Sequence, residues 1–206
     1  MIKNVVELTE RRIKMYDKII TVGREFGSGG KEIARKVAEK LGIPCYDEEI
    51  VNKVAIESGL LKEEVEKKGE YLSTSGKMST IFTLYNLYSN MTKDDIIWHA
   101  QVKVIKELAE EGPCVIVGRC ADYVLRERSD VNSVFIYSDM DKRIERIANL
   151  YKDISPEKLI KEKDKKRAAY YQHFTEMEWG EARHYDICLN SGALGVDKCV
   201  EILSDL

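Results

Sequence analysis

A glycine-rich turn between a short strand and a helix constrains this chain more than any other feature. Residues 19–23 (IITVG) are apolar and β-branched, which is typical of a buried strand. The turn Gly23–Lys31 follows, and the next apolar residues recur four apart, as on one helical face: Ile33, Val37 and Leu41. Glycines let backbone N–H groups curl around an anion, and a helix N-terminus adds a positive dipole. The pattern predicts a phosphate-binding loop; the alternative is a glycine-rich turn without a ligand.

The loop departs from the strict phosphate-binding pattern G-x-x-x-x-G-K-[ST] in both possible alignments. If Lys31 is the lysine of the pattern, the first glycine falls at Glu25 and the hydroxyl residue at Glu32. If the helix is aligned through Ala34 instead, Gly30 takes the lysine position and Lys31 takes the hydroxyl position. Both alignments lack the hydroxyl that binds Mg²⁺, so another group or water must hold the metal.

Further apolar runs alternate with helical patterns along the chain. They predict strands at 43–46, 114–118, 133–138 and 185–189. Helical patterns cover 48–111, 155–181 and 196–205. Short buried strands that alternate with helices indicate a parallel sheet with helices on both faces. We therefore expect a single α/β domain over residues 1–206, built on a five-stranded parallel sheet.

Composition and charge exclude several classes of function. The chain has 206 residues, of which 33% are charged and 44% hydrophobic, as in a globular protein with one core. A net charge of −3 gives no reason to expect nucleic-acid or membrane binding. No apolar run approaches about 18 residues, and the N-terminus lacks the apolar core of a signal peptide. We expect a cytoplasmic protein.

Two features bear on redox state and assembly. The five cysteines are scattered, and no pair forms C-x-x-C or joins a histidine cluster. We expect reduced thiols and no zinc. The segment 1–17 precedes the first strand and has a charged amphipathic pattern from residue 3 onward. Such a helical arm would pack on the domain or on a partner, and a homodimer through this helix is one expectation.

Four segments together resemble the cytidylate kinase-like family, a branch of the P-loop nucleoside monophosphate kinases. They are GREFGSGGKEIARKVAEKLGIPCYDEEIV at 23–51, IVGRCADYVL at 116–125, KDKKRAAYY at 163–171 and YDICLNSGALG at 185–195. The resemblance covers nearly the whole chain beyond the arm. It implies a P-loop α/β fold with a helical monophosphate-binding insert at 48–111 and a helical lid at 152–183.

The resemblance also implies roles for individual residues. The ATP-binding loop would comprise Gly27, Ser28, Gly29, Gly30, Lys31 and Glu32. Asp47, Gln101 and Arg119 would contact the acceptor, and the lid cations would be Lys163, Lys165 and Arg167. The chain departs from the family at Cys120, where cytidylate kinases proper carry aspartate after Gly-Arg. In the lid, lysines replace two of three arginines and lose the bidentate fork.

Each role has a plainer alternative. Lys31 would neutralise β- and γ-phosphate charge, or be a solvated lysine of the first helical turn. Arg119 would bind a phosphate beyond its strand, or form a surface salt bridge. Asp47 would hold Mg²⁺, directly or through water, or cap the next helix.

The lid cations could instead be a solvated helical face. Residues four apart share a face of a helix, whereas residues two apart do not. We therefore expect Lys163 and Arg167 to meet the phosphates and Lys165 to point elsewhere. The cluster Tyr170, Tyr171, His173 and Trp179 would cover the site or pack within the helix.

The function expected from these features is Mg²⁺- and ATP-dependent phosphoryl transfer to a nucleoside monophosphate, with CMP favoured. Lys31, Arg167, Lys163 and Arg119 would carry the catalysis. One alternative is a P-loop kinase of another small metabolite. Another is a nucleotide-binding protein without catalysis, which the missing loop hydroxyl would favour.

Overall fold

The sheet is parallel throughout, with the strand that precedes the loop at its centre. The computed structural model describes residues 17–47, 93–151 and 155–206. The five strands lie in the order β2-β3-β1-β4-β5. They are β1 (Ile19–Arg24), β2 (Cys45–Tyr46), β3 (Val115–Val117), β4 (Val131–Tyr137) and β5 (Ile187–Asn190). All six residues of β1 are buried, because β3 and β4 pair with it on either side and helices cover both faces.

Helices pack on both faces of this sheet. In chain order they are α1 (Gly30–Leu41), α2 (Lys93–Glu111), α3 (Ala121–Val124), α4 (Met140–Leu150), α5 (Pro156–Thr175), α6 (Ser191–Leu194) and α7 (Val196–Ser204). One core cluster joins α1 and α7 to β1, β3 and β4. A second cluster joins α2 and α3 to the sheet around Ile19 and Ile116. The predicted five-stranded α/β fold is therefore confirmed.

The apolar stripe of α1 explains why this helix follows the loop directly. Ile33, Ala34, Val37 and Ala38 are buried, and they recur at three- and four-residue spacing. They pack against Cys199 and Leu203 of α7 and against the sheet. The loop therefore lies between a buried strand and a helix with one buried face, and its backbone is held from both ends.

Several predicted boundaries differ from the observed ones. The strand predicted at 43–46 is only Cys45–Tyr46, and the one predicted at 19–23 continues to Arg24. The helix expected over 155–181 ends at Thr175, where Glu176 adopts left-handed φ of 59°. The arm (except Asp17) and the first part of the insert, residues 48–92, lie outside the described residues.

The state of the cysteines and the character of the helices can also be stated. All five cysteines are free thiols, and burial raises the pKa of Cys114 to about 12. Over the described ranges, none of the helices combines the length and apolar character needed to cross a bilayer.

Candidate functional site: a cationic cavity at the phosphate-binding loop

The predicted phosphate-binding loop, Gly23–Lys31, turns sharply between β1 and α1. Gly27 and Gly29 have φ of 84° and 79°, a left-handed region in which side chains are strained. The buried Ser28 hydroxyl donates to the carbonyl of Glu25 at 2.9 Å and accepts from the N–H of Gly30 at 3.3 Å. The loop is thus braced internally, and α1 begins at its end.

A cavity of about 620 Å³ lies where β1, β2 and β3 end. Among the described residues, six cationic side chains and two carboxylates line it. The cations are Arg24, Lys31, Arg119, Lys163, Lys166 and Arg167, and the carboxylates are Asp47 and Asp122. We refer to this space as the cationic cavity. An excess of positive charge in a concave site favours an anionic ligand.

Lys31 and Asp47 meet at the edge of the cavity next to β2. The Lys31 amine lies 3.0 Å from Oδ2 of Asp47, and Arg35 contacts the same oxygen at 2.6 Å. Asp47 is 3% exposed, so the two cations compensate a buried carboxylate. This arrangement aims the Lys31 amine towards β2.

Arg119 reaches the cavity from an unusual turn after β3. Gly118, Arg119 and Cys120 have successive φ values of 76°, 57° and 55°, although two of them are not glycine. Such strained backbone is commonly found at functional sites. The Arg119 guanidinium carbon lies 5.6 Å from the ring centre of Tyr170, which holds it over an aromatic face.

Helix α5, which contains the predicted lid cations and is called the lid helix below, presents one face to the cavity. Lys163, Lys166 and Arg167 line it, whereas Lys165 is not among its lining residues. The Arg167 guanidinium donates to the carbonyl of Arg24 at 3.2 Å and lies 5.5 Å from the centre of the Phe26 ring. Lys163 and Arg167, four residues apart, therefore lie on the cavity side of the helix, as their spacing predicted. Their contact with phosphates stays a prediction.

A buried ion-pair network joins the lid helix to the loop. Asp164 accepts a hydrogen bond from the Phe26 N–H, and its other oxygen pairs with Arg143 of α4. The Arg143 side chain is 5% exposed and also contacts Glu25 at 3.2 Å and the Phe26 carbonyl at 2.8 Å. Burial raises the pKa of Glu25, against the lowering effects of the Ser138 N–H and Arg143. One buried arginine thus holds the loop and the lid together.

Gln101 lies behind the cavity wall. Its side chain is fully buried, and its Oε1 accepts from the hydroxyl of Tyr170 at 2.7 Å. Tyr170 lines the cavity and packs edge-on against Trp98 of α2. In this structure Gln101 positions Tyr170, and its direct contact with an acceptor stays a prediction.

Asp122 and Tyr171 are two buried residues that meet at one end of the cavity. The Tyr171 hydroxyl donates to Oδ2 of Asp122 at 2.6 Å, and both residues are buried. Burial raises the pKa of Asp122, although the hydrogen bond from Tyr171 opposes this. Trp179 lines the same end and packs edge-on against Phe135.

A second cavity, of about 550 Å³, lies on the other side of the loop. Its lining includes Gly27, Ser28, Arg146, Ser191 and Gly192. The Glu32 side chain, also in this lining, pairs with Arg146 at 2.8 Å and with Lys36 at 3.3 Å.

Its ion pairs determine what Glu32 can contribute. Burial would raise the pKa of Glu32, but hydrogen bonds from Arg146 and Lys36 outweigh it and lower that pKa. Glu32 therefore carries a negative charge where the strict pattern has a hydroxyl in one alignment.

The described residues contain no group of three or more histidine, cysteine, aspartate or glutamate side chains arranged to hold a metal ion. Lys31 and Arg35 both contact one oxygen of Asp47. A divalent ion that is already bound to phosphates needs only one or two protein carboxylates. The residues therefore fit a metal delivered with a nucleotide, and Asp47 as its ligand stays a prediction.

Sequence reasoning did not select Arg24, Lys166, Asp122 or Arg143 as site residues. Lys166 lies three residues after Lys163, so the helical spacing could have identified it. Arg24 ends a strand, which is the signal that selected Arg119. Arg143 carried no signal, because its partners Glu25 and Asp164 are far away in sequence.

Comparison with known proteins agrees with this geometry. The model of the cytidylate kinase-like family matches residues 19–193. A cytidylate kinase from Archaeoglobus fulgidus is 28% identical over 190 residues, which span 89% of this chain and 91% of that protein.

Two solved structures are also similar to this chain. An uncharacterised protein from Eubacterium ventriosum has a TM-score of 0.70 at 30% identity, over 91% of this chain and 96% of its own. TT1252 from Thermus thermophilus has a TM-score of 0.53 at 16% identity, over 93% and 98% of the two chains, a likeness of fold alone. Because the family model matches well over half of this chain, the chain belongs to the cytidylate kinase-like family and is a phosphotransferase.

Proposed function

We propose that this protein transfers the γ-phosphoryl group of ATP to a nucleoside monophosphate, with CMP as the favoured acceptor. The observation that carries the proposal is the convergence of six cationic side chains, from β1, α1, the β3 turn and the lid helix, on one cavity. Phosphoryl transfer needs positioning and charge stabilisation more than covalent help from the protein. A cavity with this charge is suited to two phosphate-bearing substrates.

The two cavities would divide the substrates between them. The loop separates them, with Gly27 and Ser28 facing the second cavity and Phe26 and Lys31 facing the cationic one. The donor nucleoside would occupy the second cavity, and its phosphates would cross the loop. The acceptor would occupy the cationic cavity, where Arg119 would bind its phosphate.

The reaction is a direct displacement. An oxygen of the acceptor phosphate attacks the γ-phosphorus, and the bond to the β–γ bridging oxygen breaks. ADP leaves with the bonding electron pair, and the acceptor becomes a diphosphate. Arg167 and Lys163 would stabilise the charge on the transferring group, because both face the cavity from the lid helix.

Mg²⁺ would supply further charge neutralisation on the donor phosphates. Asp47 would hold it through water, since Lys31 and Arg35 already contact one of its oxygens.

Preference for CMP is supported by the Archaeoglobus relative, which is named a cytidylate kinase, and by Arg119 and Tyr170 in the cavity wall. An acceptor panel tests it. The protein is incubated with ATP, Mg²⁺ and one of CMP, UMP, AMP, GMP or shikimate, and products are separated by chromatography. We expect CDP to form fastest. If AMP, GMP and shikimate all react faster than CMP and UMP, the pyrimidine assignment is wrong.

The alternative of nucleotide binding without catalysis is favoured by Glu32, a carboxylate that replaces the loop hydroxyl in one of the two alignments. The same panel decides between the two. ATP binding without transfer to any acceptor would support the alternative.

A further inference from the structure

Arg24 occupies a cradle formed by two glycines from separate parts of the chain. It ends β1, lines the cationic cavity and is 9% exposed. A Cβ added at Gly30 would lie 2.6 Å from the Cβ of Arg24 and 3.1 Å from its Cγ. A Cβ added at Gly118 would overlap the Arg24 guanidinium. The side chain therefore runs from the start of α1 to the turn after β3, through space that other residues at these two positions would fill.

The same cradle explains why the loop has glycine at position 30. Helix α1 begins at Gly30 with Gly29 as its N-cap, so Gly30 is the first residue of the helix. In the alignment through Ala34, Gly30 is where the strict pattern places its lysine. A lysine there would collide with the stem of Arg24. The neighbouring Lys31 has its amine 3.0 Å from Asp47, on the side of β2.

We propose that Arg24 binds the terminal phosphates of the donor, the role that the strict pattern gives to a lysine at position 30. This inference rests on the proposed function, since it requires a triphosphate donor. The phosphate-binding cation would then lie at the end of β1 instead of at the first residue of α1. Gly30 and Gly118 leave the space that the Arg24 side chain fills.

An arginine suits this position better than a lysine would. Its planar fork can bind two phosphate oxygens at once, and it stays charged when buried. The Arg24 guanidinium lies beside Gly118, the residue before Arg119. The side chain therefore extends from the loop to the turn that we propose binds the acceptor. Arg167 of the lid helix donates to the backbone carbonyl of Arg24 at 3.2 Å, so a lid cation also contacts this residue.

A residue swap tests the proposal by equilibrium binding. The proteins are wild type, Arg24→Ala, Gly30→Lys, and the double variant Arg24→Ala/Gly30→Lys. Calorimetric titration measures the Kd of ATP, of inorganic tripolyphosphate and of adenosine. Arg126→Ala is the matched control, because Arg126 is exposed, contacts Tyr123 and Glu127, and is not among the residues that line the cavity.

Arg24→Ala should weaken ATP and tripolyphosphate binding about ten- to a hundredfold and leave adenosine binding unchanged. Gly30→Lys alone should lower the thermal unfolding temperature, because the new side chain meets Arg24. The double variant should regain tripolyphosphate affinity, since the lysine then has both the space and the position. Arg24→Lys keeps the positive charge and replaces Arg24→Ala in the titrations if the alanine variant does not fold. It should retain part of the affinity for tripolyphosphate.

Wild-type affinity for tripolyphosphate in Arg24→Ala would overturn the proposal, as would equal losses of adenosine and tripolyphosphate binding. A different result would show that the proposed function is wrong while the role of Arg24 holds. In that case ATP binding would still depend on Arg24, but no acceptor in the panel would be phosphorylated. A wild-type protein that binds neither ATP nor tripolyphosphate would overturn both.

Discussion

The carboxylate of Asp164 in the lid helix accepts a hydrogen bond from the backbone N–H of Phe26 in the phosphate-binding loop, with 2.7 Å between Oδ1 and N. The two residues are 138 positions apart in the chain. Arg143 bonds to the other oxygen of Asp164 and to the Phe26 carbonyl. The lid helix is therefore attached to the loop that it would cover during catalysis, and the attachment depends on a buried charge.

Replacing Asp164 should loosen this attachment and destabilise the fold. Asp164→Ala removes one partner of the nearly buried Arg143 and the acceptor of the Phe26 N–H, which should cost about 1–3 kcal/mol. Asp164→Asn keeps an acceptor oxygen and should cost less. Urea unfolding measures both. Glu162→Ala is the control, since Glu162 pairs with Lys166 in the exposed part of the same helix. Equal unfolding midpoints for Asp164→Ala and Glu162→Ala would contradict the network.

Asp122 should make stability depend on pH in a defined direction. Its pKa is raised from the ordinary value of 3.8 by burial, so the folded state binds its proton more tightly than the unfolded state does. The contribution of Asp122 to stability is greatest below pH 3.8 and falls as pH rises through the raised pKa. Asp122→Asn removes this dependence. The variant should therefore become more stable relative to wild type as pH rises from about 3 to 7.

Urea unfolding of wild type and Asp122→Asn across that range measures the difference. Asp130→Asn is a control of opposite sign, because the hydrogen bond from Arg128 lowers the pKa of Asp130. That variant should become less stable relative to wild type as pH rises. A difference for Asp122→Asn that stays constant with pH would contradict the linkage argument.

Lys31 should matter to phosphate binding more than Lys36, a lysine five residues further along α1. Lys31→Ala should weaken ATP binding or lower turnover about ten- to a hundredfold, the size of a charge-assisted contact. Lys36→Ala is the control, since Lys36 pairs with Glu32 and Asp197 outside the cationic cavity. Titration with ATP and initial-rate assays give the comparison. Equal effects of the two substitutions would refute the role of Lys31.

The lid cations should separate by helical face. Arg167→Ala should lower kcat and kcat/KM together by about a hundredfold or more, with little change in ATP affinity, if Arg167 acts mainly in the transition state. Lys165→Ala should be mild, because Lys165 is absent from the cavity lining. Lys163→Ala should resemble Arg167→Ala in kind. Steady-state kinetics with the best acceptor decides, and a larger effect at Lys165 than at Arg167 would contradict the assignment.

Local sequence patterns were sufficient for the framework of the site. The apolar run before Gly23 and the four-residue spacing after Lys31 predicted the strand, loop and helix that the structure contains. These patterns work because burial of a strand or of one helical face imposes a short, regular period on the sequence. The same spacing rule placed Lys163 and Arg167 together on the face of α5 that lines the cavity.

Tertiary structure alone decided which distant residues meet at the site. Arg24 lies between Gly30 and Gly118, Asp164 reaches the N–H of Phe26, and Gln101 lies behind Tyr170 instead of in the wall. No sequence period reports such contacts, because they depend on how helices pack over the ends of strands that pair out of chain order. The sequence by itself determined that a glycine-rich loop would lie between a buried strand and a helix with one buried face. Packing decided which cations surround it, because side-chain positions across the sheet follow from the assembled fold and not from neighbours in the chain.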